Sequence, residues 1–145
     1  ILAKTEAVLS GFDEAIMLNQ DGSVSEGSGE NLFFISNGIV HTPLVADNNL
    51  TGITRDCAIK LAQNELNIPV VERTIRRSEL YLADEVFLTG TAAHITPVGQ
   101  LDSRPIGNGG VGPITKQIRD LYVKIIRGNN VKYLDWCTQV AIEEV

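Results

Sequence analysis

The chain has 145 residues, 43% hydrophobic and 21% charged, with a net charge of −6. That length suits one domain able to bury roughly two thirds of its unfolded surface, and the acidic balance argues against a nucleic-acid surface, which needs a basic stripe. No apolar run nears the ~20 residues of a membrane span, and two histidines with two scattered cysteines do not compose a metal cluster, so no metal is expected. Ile1 to Leu9 has apolar residues at helical spacing but neither a starting methionine nor an N-cap, so a helix whose beginning is missing, and hence a piece of a longer protein, is expected. After Gly11, residues Glu14 to Asn19 read as a strand, turned back at Asp21-Gly22 through Ser23-Val24-Ser25. Asn31 to Ser36 and Ile39 to Thr42 form a second hairpin around Asn37-Gly38.

Pro43 to Gly52 is a polar loop, and Thr54 opens an amphipathic helix to about Leu66 with Ala58, Leu61, Ala62 and Leu66 on one stripe. Pro69 to Ile75 is the next strand, Ser78 caps a short helix to Ala83, and Glu85 to Thr89 is a strand again. The loop Gly90 to His94 separates it from a strand over Ile95 to Leu101, turned at Asp102-Ser103. Glycines from Gly107 to Gly112 lead to Pro113, at the first position of a helix running to about Ile126. The tail Lys132 to Val140 reads as a terminal helical turn docking Tyr133 and Trp136. Strands and helices mix without strict alternation, which predicts an α+β or mixed α/β fold. Arg73, Arg76 and Arg77 are flanked by Glu72 and Glu79 and read as a solvated face. Cys57 and Cys137 lie on segments read as helical, and reduced, partly buried thiols suit a cytoplasmic protein.

Three loops have features of a site for a phosphorylated, nitrogen-containing cofactor. Gly52-Ile53-Thr54 stands at a helix start, where free N–H groups and the positive dipole end favour phosphate and the Thr54 hydroxyl adds a donor; Thr54 as a plain N-cap is the bland alternative. Gly90-Thr91-Ala92-Ala93 follows an apolar strand, and its small residues let N–H groups approach a ligand anion; a plain turn is the alternative. Ser25 to Asn31 carries Glu26 and Glu30 into a buried strand, where an acid needs a cationic partner or a job. A carboxylate beside a pyridinium nitrogen keeps it protonated, which is the role open to Glu26; solvation of a loop is the alternative for both acids.

In this order, Ser25-Glu-Gly-Ser-Gly-Glu-Asn31, Leu50-Thr-Gly-Ile-Thr-Arg55, Tyr81-Leu-Ala-Asp-Glu85, Gly90-Thr-Ala-Ala93 with Thr96-Pro-Val98, and Gly112-Pro-Ile-Thr115 closely resemble the branched-chain amino-acid aminotransferases. These are pyridoxal-phosphate enzymes of fold type IV, the D-amino-acid aminotransferase-like group. The resemblance runs from the first residues to about Val140 and implies that residues 1–145 are the larger, cofactor-binding C-terminal domain, a mixed sheet or pseudo-barrel flanked by helices. It implies that Glu26 pairs with the pyridine nitrogen and that Glu30 supports it from behind through an ion pair, Arg55 being one candidate partner. It implies further that Leu50 packs on the ring face, that Gly52, Ile53 and Thr54 bind the phosphate with Thr91 opposite, and that the Ala92 and Ala93 N–H groups receive the substrate carboxylate. The full enzyme would move the amino group of leucine, isoleucine or valine to 2-oxoglutarate, as a homodimer or higher homo-oligomer.

D-amino-acid transaminases and aminodeoxychorismate lyases share the fold and the first glutamate but usually lack Gly-Glu-Asn at 29–31 and Thr-Ala-Ala at 91–93. His94 departs from the glutamate that bacterial members often carry, and reads as a substitution outside the chemistry. Transamination needs a lysine as covalent anchor and proton shuttle. Lys60, Lys116, Lys124 and Lys132 read as surface charges, and the resemblance puts the family's Schiff-base lysine on a strand before Ile1, which excludes Lys4. No catalytic residue is therefore assigned within the chain, which alone should be inactive. A sister fold-type-IV enzyme and a non-catalytic ligand-binding or interaction module of the same fold are the alternatives.

Overall fold

A computed structural model of the chain describes residues 1–138 and 140. Its centre is a five-stranded mixed sheet in the order β5-β4-β3-β6-β7, built from β3 (Asn31–Ser36), β4 (Ile39–Thr42), β5 (Val70–Glu72), β6 (Glu85–Gly90) and β7 (His94–Val98). Strand β3 is buried along nearly its whole length, because the sheet is covered on both faces. Alternation along the strands sorts the apolar residues into two cores. Phe33, Ile35, Val40, Phe87 and Ile95 face Ala58, Leu61, Ile118, Tyr122 and Ile125, which belong to helices α2 (Ile53–Asn64) and α4 (Pro113–Ile126). Leu32, Phe34, Val86 and Leu88 face Val24, Ile75, Leu80 and Ile106 on the other side. Phe33 and Phe87 are directly paired across β3 and β6 and stack at 4.8 Å between centroids. The mixed α/β architecture expected from the sequence is therefore the one observed.

Asn37 and Gly38 both adopt positive φ (52° and 74°), the conformation that an Asn-Gly hairpin turn requires, and join β3 to β4. The first hairpin pairs β1 (Ile16–Leu18) with β2 (Val24–Gly27) around Gly22. Helix α1 (Leu2–Leu9) precedes it and buries none of its residues. Strand β5 is shorter than the expected 69–75 segment. Beyond Glu72 the chain leaves β4 and turns to β2, where Ile75 O accepts the Val24 N–H at 2.8 Å.

Helix α3 covers Arg77–Leu80 and is not capped by Ser78; Arg76 is the N-cap, and Glu79 Oε1 accepts its N–H at 2.8 Å. The expected strand 95–101 bends at Gly99 into a small hairpin of β8 (Gln100–Leu101) and β9 (Arg104–Pro105), turned by Asp102 and Ser103 at positive φ. Pro113 is the first residue of α4, as its sequence position requires. The tail forms a 3-10 turn over Val131–Trp136 that buries Tyr133 and sets Trp136 edge-on to it at 4.5 Å. Its expected continuation to Val140 crosses Gln139, which lies outside the described residues. Both cysteines are free thiols; Cys57 lies on α2, whereas Cys137 follows the 3-10 turn in extended backbone. Among the described residues no helix is long and apolar enough to cross a membrane, and no metal-ligating group of side chains occurs.

Candidate active site

One edge of the central sheet collects the three loops. Strand β3 begins there at Asn31, β6 ends there at Gly90, and β4 ends there at Thr42 before the chain passes to α2. Glu26, half-buried on β2, is fixed through one oxygen: its Oε2 accepts from Asn31 Nδ2 at 3.0 Å and from Leu50 N at 2.9 Å. Among the described residues Oε1 receives no protein donor, so one face of the carboxylate is open to a ligand cation. Asn31 Nδ2 also donates to Leu50 O at 2.8 Å, which ties the acidic loop to the 50–53 loop. The Leu50 side chain itself is mostly exposed, at 69%.

Helix α2 starts at Ile53, with Gly52 as N-cap and no side-chain cap. Thr54 is therefore not the cap. Its side chain turns inward, buried, and lies 3.4 Å from the Tyr122 hydroxyl of α4. The first helical bond runs from Asp56 N to Gly52 O, so the N–H groups of Ile53, Thr54 and Arg55 have no intrahelical acceptor and point off the helix end. Gly52 has ordinary φ (−70°), yet an added Cβ there would overlap Asn31 Oδ1. The glycine is required by close approach, not by backbone strain.

The 91–93 turn joins Gly90 to His94, and Thr96 Oγ1 holds it by donating to Ala93 O at 2.7 Å. Thr91 and Ala92 are exposed and Ala93 half-buried. Gly90 packs against the acidic loop, where a Cβ would stand 3.4 Å from Glu30 Cγ and 3.5 Å from Gly29 O. His94 opens β7 rather than ending a loop, has φ of 55°, and lies 6.0 Å from the Tyr122 ring. Tyr122 thus stands between Thr54 and His94 and links two of the three loops, a role hidden in a helical stripe with Ile118 and Ile125.

Glu30 is not paired with Arg55. The Arg55 guanidinium is buried and runs the other way, donating from Nη2 to Glu72 Oε2 at 2.5 Å and to Pro43 O at 3.0 Å. Glu30 Oε2 instead accepts the Gly29 N–H at 3.2 Å, and the Glu14 carboxylate accepts from Lys4 Nζ (2.6 Å), Ser28 Oγ (2.5 Å) and Ala15 N (2.7 Å). Burial alone would raise the Glu14 carboxyl, but the bonds from Lys4, Ser28 and Ala15 outweigh it and hold it at about 2. Burial, and then the Glu14 charge, push the Glu30 carboxyl up. Lys4 is committed to Glu14 and to the Asp13 carbonyl. Lys60, Lys116 and Lys132 form surface pairs with Asp56, Asp120 and Glu65. Arg73, Arg76 and Arg77 pair with Glu79, Asp21 and Asp102, the solvated face expected of them.

Glu85 has a structural task that its sequence gives no local sign of. Its buried carboxylate accepts from Ile114 N (3.0 Å) and Thr115 N (2.7 Å), capping α4 from the start of β6. A groove of about 860 Å³ is elsewhere: it lies between α1 with the 10–18 segment and β7–β8, lined by Leu80, Leu88 and Val98 among others. It contains neither Glu26 nor the first turn of α2, and the site is placed by the converging polar groups rather than by that volume.

A mixed sheet whose edge gathers an open carboxylate, an uncapped helix start and a small-residue turn has the chemistry to hold an anionic, nitrogen-containing group. The model of the family "Amino-transferase class IV" matches residues 1–101, and the chain belongs to that family. It is 57% identical over 139 residues to a probable branched-chain-amino-acid aminotransferase of Aquifex aeolicus, covering 96% of this chain and 45% of that protein. The branched-chain-amino-acid aminotransferase of Escherichia coli K12 is 45% identical over 140 residues, with 97% of this chain and 45% of that protein covered. The branched-chain amino acid aminotransferase of Thermobaculum terrenum, solved in its PLP-form (holo-form), superposes with a TM-score of 0.92 at 44% identity, over 94% of this chain and 45% of the other. That of Thermoproteus uzoniensis with norvaline gives 0.90 at 48% identity, over 94% of this chain and 45% of the other. The chain spans a little under half the length of these relatives.

Proposed function

We propose that the chain is the C-terminal, cofactor-binding domain of a pyridoxal-phosphate-dependent branched-chain aminotransferase. The full enzyme would transfer the amino group of leucine, isoleucine or valine to 2-oxoglutarate. The observation that carries this reading is the convergence of Glu26, the first turn of α2 and the 91–93 turn at one sheet edge. The naming of the relatives above supports the substrate class.

The residues fit the cofactor on chemical grounds. Glu26 offers a carboxylate oxygen without a protein donor, suited to a protonated ring nitrogen. Ile53, Thr54 and Arg55 offer N–H groups at the positive end of a 12-residue helix, suited to a phosphate, and Gly52, whose own N–H donates to Leu50 O at 2.9 Å, lets the chain approach closely there. Thr91 supplies a hydroxyl from the facing turn. Pyridoxal phosphate, when bound, supplies an electron sink for the carbanion formed at the substrate α-carbon. Glu26 holds a proton at the ring nitrogen, and Asn31 with Leu50 N keeps its carboxylate aimed. Leu50 presents an exposed apolar side chain to the ring face. The Ala92 and Ala93 N–H groups orient the substrate carboxylate, and Gly90 lets that turn approach the acidic loop.

Lys4, tied to Glu14, is not the covalent anchor, and we place that lysine on a segment upstream of Ile1 in the longer enzyme. Assembly as a homodimer and a cytoplasmic location belong to the same reading. Amino-donor assays on the full-length enzyme test it: activity with L-leucine and 2-oxoglutarate is expected, and exclusive use of D-alanine would overturn it.

A further inference from the structure

Asn31 and Leu50 hold the 26–31 loop from the inside, and its outer turn is held by a single side chain. The Gly27 N–H donates to Glu30 O at 2.6 Å and closes a tight turn over Ser28 and Gly29. Neither glycine offers a side chain, and a Cβ at 27 would stand 3.0 Å from Glu30 O. Ser28 is therefore the handle of this turn, and its hydroxyl donates to Glu14 Oε1 at 2.5 Å. The strand register makes the contact possible: β1 and β2 are antiparallel with Ile16 opposite Gly27, so the residues before Ile16 run beside the turn. Glu14 is itself fixed. Its Oε1 also accepts the Ala15 N–H at 2.7 Å, and its Oε2 accepts from Lys4 Nζ at 2.6 Å. The Glu14 side chain is only 16% exposed, so solvent and salt screen these bonds little. Lys4 stands on α1, which buries none of its residues, and its ammonium also donates to Asp13 O. A carboxylate has acceptor sites on both oxygens, so Glu14 can join a hydroxyl on one side to an ammonium on the other.

We propose that Glu14 is a positioning residue, and that the bridge Lys4–Glu14–Ser28 ties α1 to the tip of the acidic loop and so sets where Glu26 stands. The turn closed by Gly27 and Glu30 lies directly between Glu26 and Asn31, so moving its tip shifts both partners of the 3.0 Å bond that aims the Glu26 carboxylate. Glu14 and Ser28 act through Glu26 and not on the cofactor. The functional meaning of the bridge rests on the cofactor reading above, in which Glu26 meets the ring nitrogen and the covalent lysine lies on the segment before α1. On that reading the bridge fixes the loop that holds the ring against the element next to the lysine.

Two readings on the full-length enzyme test it: amide hydrogen exchange at Gly27 and Gly29 without cofactor, and the Kd for pyridoxal phosphate. Ser28→Ala and Glu14→Ala should each speed the exchange and weaken binding about tenfold, as expected for one lost charge-assisted bond. Because Ser28 acts through Glu14, the double variant should be no worse than Glu14→Ala alone. Ser28→Thr keeps the hydroxyl and should behave as the parent protein. Glu65→Ala is the matched control, since Glu65 Oε1 likewise accepts from a lysine and a hydroxyl, Lys132 Nζ and Tyr133 Oη, both at 2.5 Å, away from the loop. It should lower Tm and leave both readings unchanged. The proposal is wrong if Ser28→Ala matches the parent protein, if the two single effects multiply in the double variant, if exchange quickens while Kd stays the same, or if Glu65→Ala moves both readings as far. Ser28→Ala alters only an exposed turn, so it decides the question even where Glu14→Ala does not fold. Failure of the parent protein to bind pyridoxal phosphate would refute the function, and the exchange reading would then decide the bridge alone.

Discussion

Gly52→Ala is the sharpest test of how the site is built. The backbone at 52 has ordinary φ, so any effect is steric rather than conformational. The new methyl would overlap Asn31 Oδ1, and Asn31 cannot swing aside without breaking its bonds to Glu26 Oε2 (3.0 Å) and Leu50 O (2.8 Å). A net hydrogen bond is worth about 1 kcal/mol, and one to a charged group about 1.5–3 kcal/mol. Asn31 is itself buried, so a loss of roughly 2–4 kcal/mol is expected. For a domain of this size that is a fall in Tm of roughly 6–15 °C. Gly29→Ala is the matched control, because nothing lies within 4 Å of its added Cβ. Thermal unfolding by circular dichroism should separate the two variants clearly, and cofactor titration should show weaker binding only for Gly52→Ala. If the two melt together, Asn31 is not the rigid link between the acidic loop and α2, and the site geometry argued from it fails.

Other perturbations follow from the same contacts. Glu85→Ala removes the cap of α4 and leaves two buried N–H groups without acceptors; we expect a loss of about 2–4 kcal/mol in urea unfolding, with the cofactor contacts untouched. Thr54→Val keeps shape but deletes the inward hydroxyl beside Tyr122, and should cost about 1 kcal/mol in urea unfolding while pyridoxal-phosphate binding, which draws on the backbone N–H there, is unchanged. Thr91→Val, on the exposed turn, should instead weaken pyridoxal-phosphate binding about tenfold while Tm stays within a degree or two. The Glu14 carboxyl is held at about 2, below its ordinary 4.5, so its contribution is present above the ordinary value and lost as pH falls toward 2. The Tm gap between the parent protein and Glu14→Ala should therefore be full at pH 7 and close between about pH 5 and 2; a gap independent of pH would contradict the assignment.

Two local rules carried the secondary structure around them, while the Ser78 cap and the unbroken 95–101 strand did not hold. Asn37-Gly38 demands a tight hairpin turn, and Pro113 after Gly112 demands a helix start; both stand where expected. The three loops were legible because glycines, hydroxyls and acids stand out against apolar strands, and the structure brings all three to one sheet edge. What failed was long-range pairing. Proximity in a motif suggested Arg55 for Glu30, yet Arg55 is turned toward Glu72, 17 residues on, and Glu30 accepts the N–H of its own neighbour Gly29. The alternative of Thr54 as a plain N-cap fails for a related reason: the space beside residue 52 belongs to Asn31, so a glycine must cap, and the threonine hydroxyl, expected as a phosphate donor, turns to Tyr122. Glu85 and Tyr122 do their work across the fold, on α4 and between loops, and no local pattern in the chain announces either.

Everything proposed for the site depends on Glu26 facing the ring nitrogen of pyridoxal phosphate. The most direct measurement is the ¹⁵N chemical shift of ring-labelled pyridoxal phosphate bound to the full-length enzyme, compared between the parent protein and Glu26→Gln. A protonated ring nitrogen in the parent protein and an unprotonated one in Glu26→Gln is the predicted result; the same shift in both would contradict it.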